Sequence, residues 1–192
     1  MAWALLLVCL ILLGGCGEEK GTTVSGDGYE YELPEGWKDR SDSGEVEAID
    51  FLGLTPDTVA TGEEVDGFMP NANVLVEPGA GELTPRRYSE LSTGILRNPE
   101  LLPTQAQEQL RGFDPRDFSP AERTDLGGRE AYTTDFTGTR DGAALRFRSI
   151  VTVRGGKGYT VTFTSPLDSF EDRVDEFEGL TESWRWRQPA GS

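Results

Sequence analysis

Apolar and charged residues alternate over Tyr29-Glu30-Tyr31-Glu32-Leu33, the period-two pattern of a strand with one buried face, and Pro34-Glu35-Gly36-Trp37 then supplies a turn. Val46 to Leu54 and Ala72 to Glu77 read as two further strands, separated by the acidic, turn-rich stretch Thr55 to Pro70. The period then changes to that of a helix. Thr84-Pro85 is a helix start, with Thr as N-cap and Pro at the first helical position, and Tyr88, Leu91 and Ile95 follow as its apolar stripe until Pro99 stops it. Thr104 and Gln107 have the spacing of a capping box, which predicts a short second helix ending near Gly112.

Strand patterns return after Pro120. Leu126-Gly127-Gly128 makes a turn, and Tyr132, Thr134 and Phe136 then fall on one face. Asp141-Gly142 is a hairpin turn, and Leu145 to Val153 and Tyr159 to Thr164 form an antiparallel pair joined at Gly155-Gly156-Lys157-Gly158. We expect this hairpin at the centre of the sheet, with Leu145, Phe147, Val151 and Val153 facing the same way as Tyr159, Val161 and Phe163. A last helix starts at Ser169 as N-cap, with Glu171 and Asp172 in its first turn, and carries Phe170, Val174, Phe177, Leu180 and Trp184 at helical spacing. Strands on both sides of a helical middle, followed by a terminal helix, predict an α+β fold with an antiparallel β-sheet flanked by helices.

The N-terminus has a different pattern. Ala2 to Leu13 is an uninterrupted run of 12 apolar residues, too short for the roughly 20 of a spanning helix and suited to the apolar region of a signal peptide. It ends in Leu13-Gly14-Gly15-Cys16, which resembles the bacterial lipobox: small residues admit the leader peptidase, and cleavage between Gly15 and Cys16 exposes a Cys that carries lipid. An ordinary secretory signal or a short buried helix is the plainer alternative, disfavoured because the Cys falls where the motif needs it. Met1-Ala2-Trp3 has no Lys or Arg where a leader normally does, as a translation start upstream of Met1 would explain. Two or three acyl chains such as palmitate on one residue anchor a protein stably. The expected organisation is a leader at 1–15, a lipidated Cys and flexible tether at 16–27, one domain at 28–187 and a tail at 188–192, exported and held on the outer face of the cell membrane.

Composition narrows the chemistry. No histidine occurs in the 192 residues, and the two cysteines, Cys9 and Cys16, both belong to the leader region, so His-based triads, thiolate catalysis and His- or Cys-built metal sites are excluded. Eighteen basic against 34 acidic residues give a net charge of −16, which repels nucleic-acid backbones and anionic lipid headgroups and admits cations or basic partners. Neither G-x-S-x-G nor S-x-x-K occurs, and no glycine run has phosphate-loop spacing. No cofactor is expected.

The ordered set Tyr29 to Trp37, Leu126-Gly127-Gly128-Arg129-Glu130-Ala131-Tyr132, and Lys157-Gly158-Tyr159 through Ser165-Pro166 into the aromatic helix ending at Trp184 resembles the PsbP-like superfamily, including its DcrB-type and LpqN-type bacterial lipoproteins. The resemblance implies an α/β/α sandwich and a binding or assembly factor, linked among actinobacterial members to envelope lipids and their transporters. It carries over no catalytic set.

Three groups of residues are candidates for contacts. Asp57, Glu63, Glu64 and Asp66 are oxygen donors of the kind Ca²⁺ takes, but their spacing is not that of an EF-hand, and a solvated acidic loop is the better reading. Arg86 and Arg87 stand in the first turn of a helix, where positive charge opposes the dipole; they are set either to meet an anion, headgroup or partner, or simply to pair with Glu82 and Glu90. Trp186 cannot share a helix face with Trp184 and belongs to the core, the anchor side or a ligand groove, and Trp37 is expected to plug the core. The residues therefore favour a non-catalytic, lipid-anchored envelope binding or assembly factor with an envelope protein as partner. A carrier of a lipid or other apolar ligand is the alternative, and an envelope hydrolase using paired carboxylates a more distant one. Cys16→Ala is expected to move the protein out of the membrane fraction or leave an unprocessed precursor, as fractionation and intact-mass measurement would show; membrane retention with normal processing would contradict the lipobox.

Overall fold

The computed structural model describes residues 21–43, 55–101, 107, 112–140 and 142–188, so the leader, Gly15 and Cys16 lie outside the described residues. Its strands are β1 (Thr23–Gly26), β2 (Tyr29–Glu32), β3 (Lys38–Asp39), β4 (Thr58–Thr61), β5 (Asn71–Pro78), β6 (Phe113–Arg116), β7 (Glu122–Leu126), β8 (Arg129–Arg140), β9 (Ala143–Arg154), β10 (Lys157–Pro166) and β11 (Arg185–Trp186). The helices are α1 (Pro85–Arg97), between β5 and β6, and α2 (Phe170–Glu182), between β10 and β11. An antiparallel sheet runs in the order β3-β4-β5-β10-β9-β8, with β6 and β7 sharing the far edge of β8, and a three-stranded sheet runs β1-β2-β11. α1 packs on β8 and β9, while α2 packs on β10 and β2. The fold is thus the expected α+β arrangement of antiparallel sheet and flanking helices.

The β7–β8 and β9–β10 hairpins turn where the glycines require. Gly127 and Gly128 have φ of +57° and +79°, and Gly155 and Gly156 have +58° and +79°, the left-handed pairs of a two-residue turn whose twist suits antiparallel strands. A Cβ on Gly127 would also lie 2.8 Å from the Trp184 ring, so no larger residue fits. The second turn pairs Arg154 with Lys157 and so opposes odd-numbered residues to even-numbered ones. Opposed residues share a face. This corrects the expected facing: Tyr159, Val161 and Phe163 lie with Thr152, Ile150 and Arg148, whereas Leu145, Phe147 and Val151 lie on the other face with Pro166, Thr164 and Thr160. Both faces of the sheet are covered, which is why apolar residues occur at both parities of β9.

The α2 face holds the main core. Phe163 stacks on Phe177 at 5.5 Å between ring centres, and Trp184 stacks on Tyr29 at 4.4 Å and Tyr31 at 5.8 Å. Trp37 lies in the same cluster, as expected, and donates its indole N–H to Glu176 at 3.0 Å. Burial pushes the Tyr31 hydroxyl up to about 12.

Several expectations are revised. Thr23–Gly26, read as part of a flexible tether, is β1 of the small sheet, because Val24 is 1% exposed in the aromatic core and pairs with Tyr31. Thr58–Thr61 lies inside the stretch read as a loop between strands, yet all four residues are buried; Asp57 precedes it, and its carboxylate accepts the Tyr29 hydroxyl at 2.7 Å and the Asp27 N–H at 2.8 Å. Ser169 precedes α2 but makes no capping bond; its hydroxyl donates to the Pro166 carbonyl at 3.4 Å. The expected strand at Val46 to Leu54 and, apart from Gln107 and Gly112, the second helix at 104–112 lie outside the described residues.

One ionic knot ties α2 to the sheet. Asp135 accepts two hydrogen bonds from Arg148, at 2.8 and 3.0 Å, and one from Arg146 at 3.0 Å, and Arg148 reaches on to Glu178 at 3.0 Å. Partial burial works to raise the Asp135 pKa, but the two guanidinium groups outweigh it and hold the carboxyl below its ordinary value. The knot therefore stabilises fully above about pH 4 and loses its contribution as pH falls through the depressed native value. The Asp135 side chain is 19% exposed, and Asp135→Asn is expected to cost about 2 kcal/mol at pH 7, roughly 4–8 °C in Tm. Thermal melts of both proteins at pH 7 and pH 3 check this, since the difference must narrow in acid.

Candidate functional site

The face of the sheet under α1 is not filled. Thr84 caps α1 by accepting the Arg87 N–H at 3.2 Å, Pro85 occupies the first helical position, and the chain turns over the sheet so that Ser89, Ser92, Thr93, Ile95 and Leu96 look down on it. The sequence stripe placed Leu91 on this face, yet Leu91 is 40% exposed. The inward side is built largely of small hydroxyl residues, so helix and strands do not meet in full contact. A cavity of about 360 Å³ remains, within the range of small-ligand pockets.

Its walls are set by strand parity. β5 contributes Asn71, Asn73, Leu75 and Glu77, β10 contributes Thr160, Thr162 and Thr164, β9 contributes Leu145, Phe147, Ser149 and Val151, and β8 contributes Thr134, Phe136 and Arg140. Phe68, Phe113 and Phe118 complete the aromatic end. There Phe136 stacks on Phe147 at 4.7 Å and on Phe118 at 5.0 Å, and the Phe113 ring stands edge-on to Phe147 at 5.4 Å. At the other end the Tyr88 hydroxyl donates to the Glu77 carboxylate and lies 3.2 Å from the Thr160 hydroxyl. Burial, helped by the neighbouring carboxylate, pushes the Tyr88 pKa above its ordinary value, so the phenol stays neutral. Gly158 makes this contact possible, because a Cβ there would lie 2.4 Å from the Tyr88 ring.

A second, more open cleft of about 820 Å³ lies between the β7–β8 hairpin and the end of α2. Its lining includes Asp135, Arg148 and Glu178, which already satisfy one another, together with Thr133 and Trp184, whose buried hydroxyl and indole N–H have no partner among the described residues.

No family model and no curated protein matches the sequence. Solved structures do. Cyanobacterial PsbP (CyanoP) from Synechocystis superposes with a TM-score of 0.59 at 19% identity, covering 94% of this chain and 98% of its own. The fold is PsbP-like. LpqN from Mycobacterium tuberculosis, described as involved in cell envelope biogenesis, superposes with a TM-score of 0.54 at 15% identity, over 87% of this chain and 90% of its own.

Within this PsbP-like frame the residues singled out from sequence lie away from the cavity. Arg86 and Arg87 are exposed at the start of α1 and both bond Glu90, at 3.3 and 3.1 Å, not Glu82. Trp186 is packed against the core: its N–H donates to the Leu126 carbonyl at 2.9 Å, its ring stands edge-on to Tyr159 at 5.0 Å, and the Arg154 guanidinium lies 5.1 Å from its centre. It also borders the second cleft. Among the described residues no group of three or more acidic side chains comes together as a metal site, and Asp57 is committed to Tyr29. The cavity residues themselves escaped sequence reasoning, because polar residues facing an internal space carry the same pattern as polar residues facing water. Ser92→Leu is expected to fill the cavity, leaving Tm unchanged or raised and weakening binding of an uncharged naphthalene fluorophore at least tenfold by fluorescence titration; undiminished binding would place the fluorophore elsewhere.

Proposed function

We propose that this chain is a non-catalytic protein of the bacterial envelope that holds an apolar ligand in the cavity beneath α1 and is anchored through lipid on Cys16. The observation that carries the ligand reading is the cavity itself, aromatic at one end and left open by the small residues of α1. A cavity of this size lined by aromatic and aliphatic side chains favours apolar molecules. The envelope location rests on the lipobox, and it agrees with the envelope role stated for LpqN. Among the described residues no helix is long and apolar enough to cross a membrane, so a lipid on Cys16 supplies the attachment in this reading.

The chemistry of the lining supports a binding role over turnover. Glu77 is the single carboxylate among the lining residues, and Tyr88 engages it, so a two-carboxylate hydrolytic mechanism lacks its second group there. A protein partner gains less support: the large apolar side chains exposed among the described residues are Met69, Leu91 and Leu167, spread over three separate segments. Protein extracted gently from its own membrane is expected to carry an apolar ligand in stoichiometric amount by native mass spectrometry, and Ser92→Leu to carry much less. Protein that is empty in both forms would overturn the ligand reading.

A further inference from the structure

Of the two asparagines that line the cavity, one has spent its side chain and the other has not. Asn71 donates its amide N–H to the Met69 carbonyl at 3.3 Å. Asn73 is 7% exposed, and neither its amide oxygen nor its amide nitrogen has a hydrogen-bond partner among the described residues. Both atoms keep some open surface, unlike the Thr134 hydroxyl on the same floor, which is sealed off. A carboxamide carries an acceptor oxygen and a nitrogen with two N–H donors. Burying both functions unmet is costly, which a native structure normally relieves with a ligand or water.

The strand register places what surrounds this amide. Asn73 stands opposite Val59 on β4 and Thr162 on β10, with Asn71 and Leu75 beside it on its own strand. Thr162 spends its hydroxyl on a 3.4 Å contact with Ser149 rather than on Asn73. None of these four neighbours is ionised. The charged residues of the described lining stand apart: Glu77 lies four residues along β5 and is engaged by Tyr88, and Arg140 lies three strands away on β8. An ionised group set on Asn73 would be desolvated without a counter-charge, so its partner is uncharged.

The two bonding functions of a carboxamide lie side by side along one edge. A single uncharged group meets both only if it also presents an N–H and a C=O on one edge, as a lactam, a primary carboxamide or a cyclic imide does. An ester or a ketone accepts the Asn73 N–H and leaves the Asn73 oxygen unmet. Because the pairing is reciprocal, it forms whichever way round the Asn73 amide sits.

We propose that Asn73 is the polar anchor of the cavity and that the occupant is an otherwise apolar, uncharged molecule with a lactam or primary carboxamide edge. The proposal rests on the ligand reading above and narrows it to a chemical class. Leu75, Val151 and Phe147 belong to the apolar wall that receives the rest of the molecule.

2-Quinolone and coumarin separate this edge from simple greasiness. They are flat bicyclic molecules of one shape and similar hydrophobicity, and differ in that the ring N–H of the first is a ring oxygen in the second. In ligand-observed NMR titrations of the full-length protein, 2-quinolone is expected to bind about 3- to 10-fold more tightly, the worth of one hydrogen bond. Asn73→Leu, which nearly conserves volume, is expected to bring that ratio to about one. Equal binding of the two to the wild type would overturn the inference without recourse to a variant, and leave the cavity reading standing with water on Asn73. A preference that survives Asn73→Leu would overturn the role of Asn73. Failure of both to bind where the naphthalene fluorophore binds would overturn the chemical class, and failure of all three would overturn the ligand reading with it.

Discussion

In the four long antiparallel strands β5, β10, β9 and β8, every residue lies opposite neighbours that share its face, so the register decides the content of both sides at once. One row puts Ala72, Phe163, Arg148 and Asp135 under α2; the adjacent row puts Asn73, Thr162, Ser149 and Thr134 under α1. A slip of one residue would send the aromatic rings into the cavity and the hydroxyls into the core. The Gly155-Gly156 turn fixes the alignment of β9 with β10, and Gly127-Gly128 fixes that of β7 with β8. The knot at Asp135 then exists because Arg148 is its direct cross-strand partner.

The two sides use the same strands for different ends. Under α2 the side chains are large and the packing is continuous from Phe163 through Phe177 to the tyrosines and Trp184. Under α1 the helix presents Ser89, Ser92 and Thr93, and the strands present threonines, so the layers stand apart except at the aromatic end and at Tyr88. An apolar core alone would not need a glycine at 158 to seat a tyrosine against a carboxylate. The sheet packs tightly through one face and leaves an open space against the other.

Much of this architecture was legible. Glycine-rich turns marked where β8 begins and where β9 passes into β10, Thr84-Pro85 marked the start of α1, and the spacing of Phe170, Val174, Phe177 and Leu180 marked the buried face of α2. The facing of β9 was misread because both of its faces are covered, so apolar residues give no parity. β4 was hidden because its four residues are short and sit among acids, and β1 because a single valine, Val24, is its contribution to the core. The cavity was the least legible feature. Leu91 looked like a core position by spacing, while the serines that actually face inward looked like a surface.

The place of α1 in the chain has a further consequence. It bridges from β5, beside β10, to β6 at the far edge, and as a helix it takes no part in the sheet's hydrogen-bonded ladders. Its backbone amides therefore depend on its own turns and on contacts made across a partly empty space. Opening α1 breaks no strand pair, whereas exposing the amides of β9 and β10 requires dismantling the sheet. Hydrogen exchange should accordingly divide the described part of this fold into two tiers, a slow central ladder and a faster roof over the cavity.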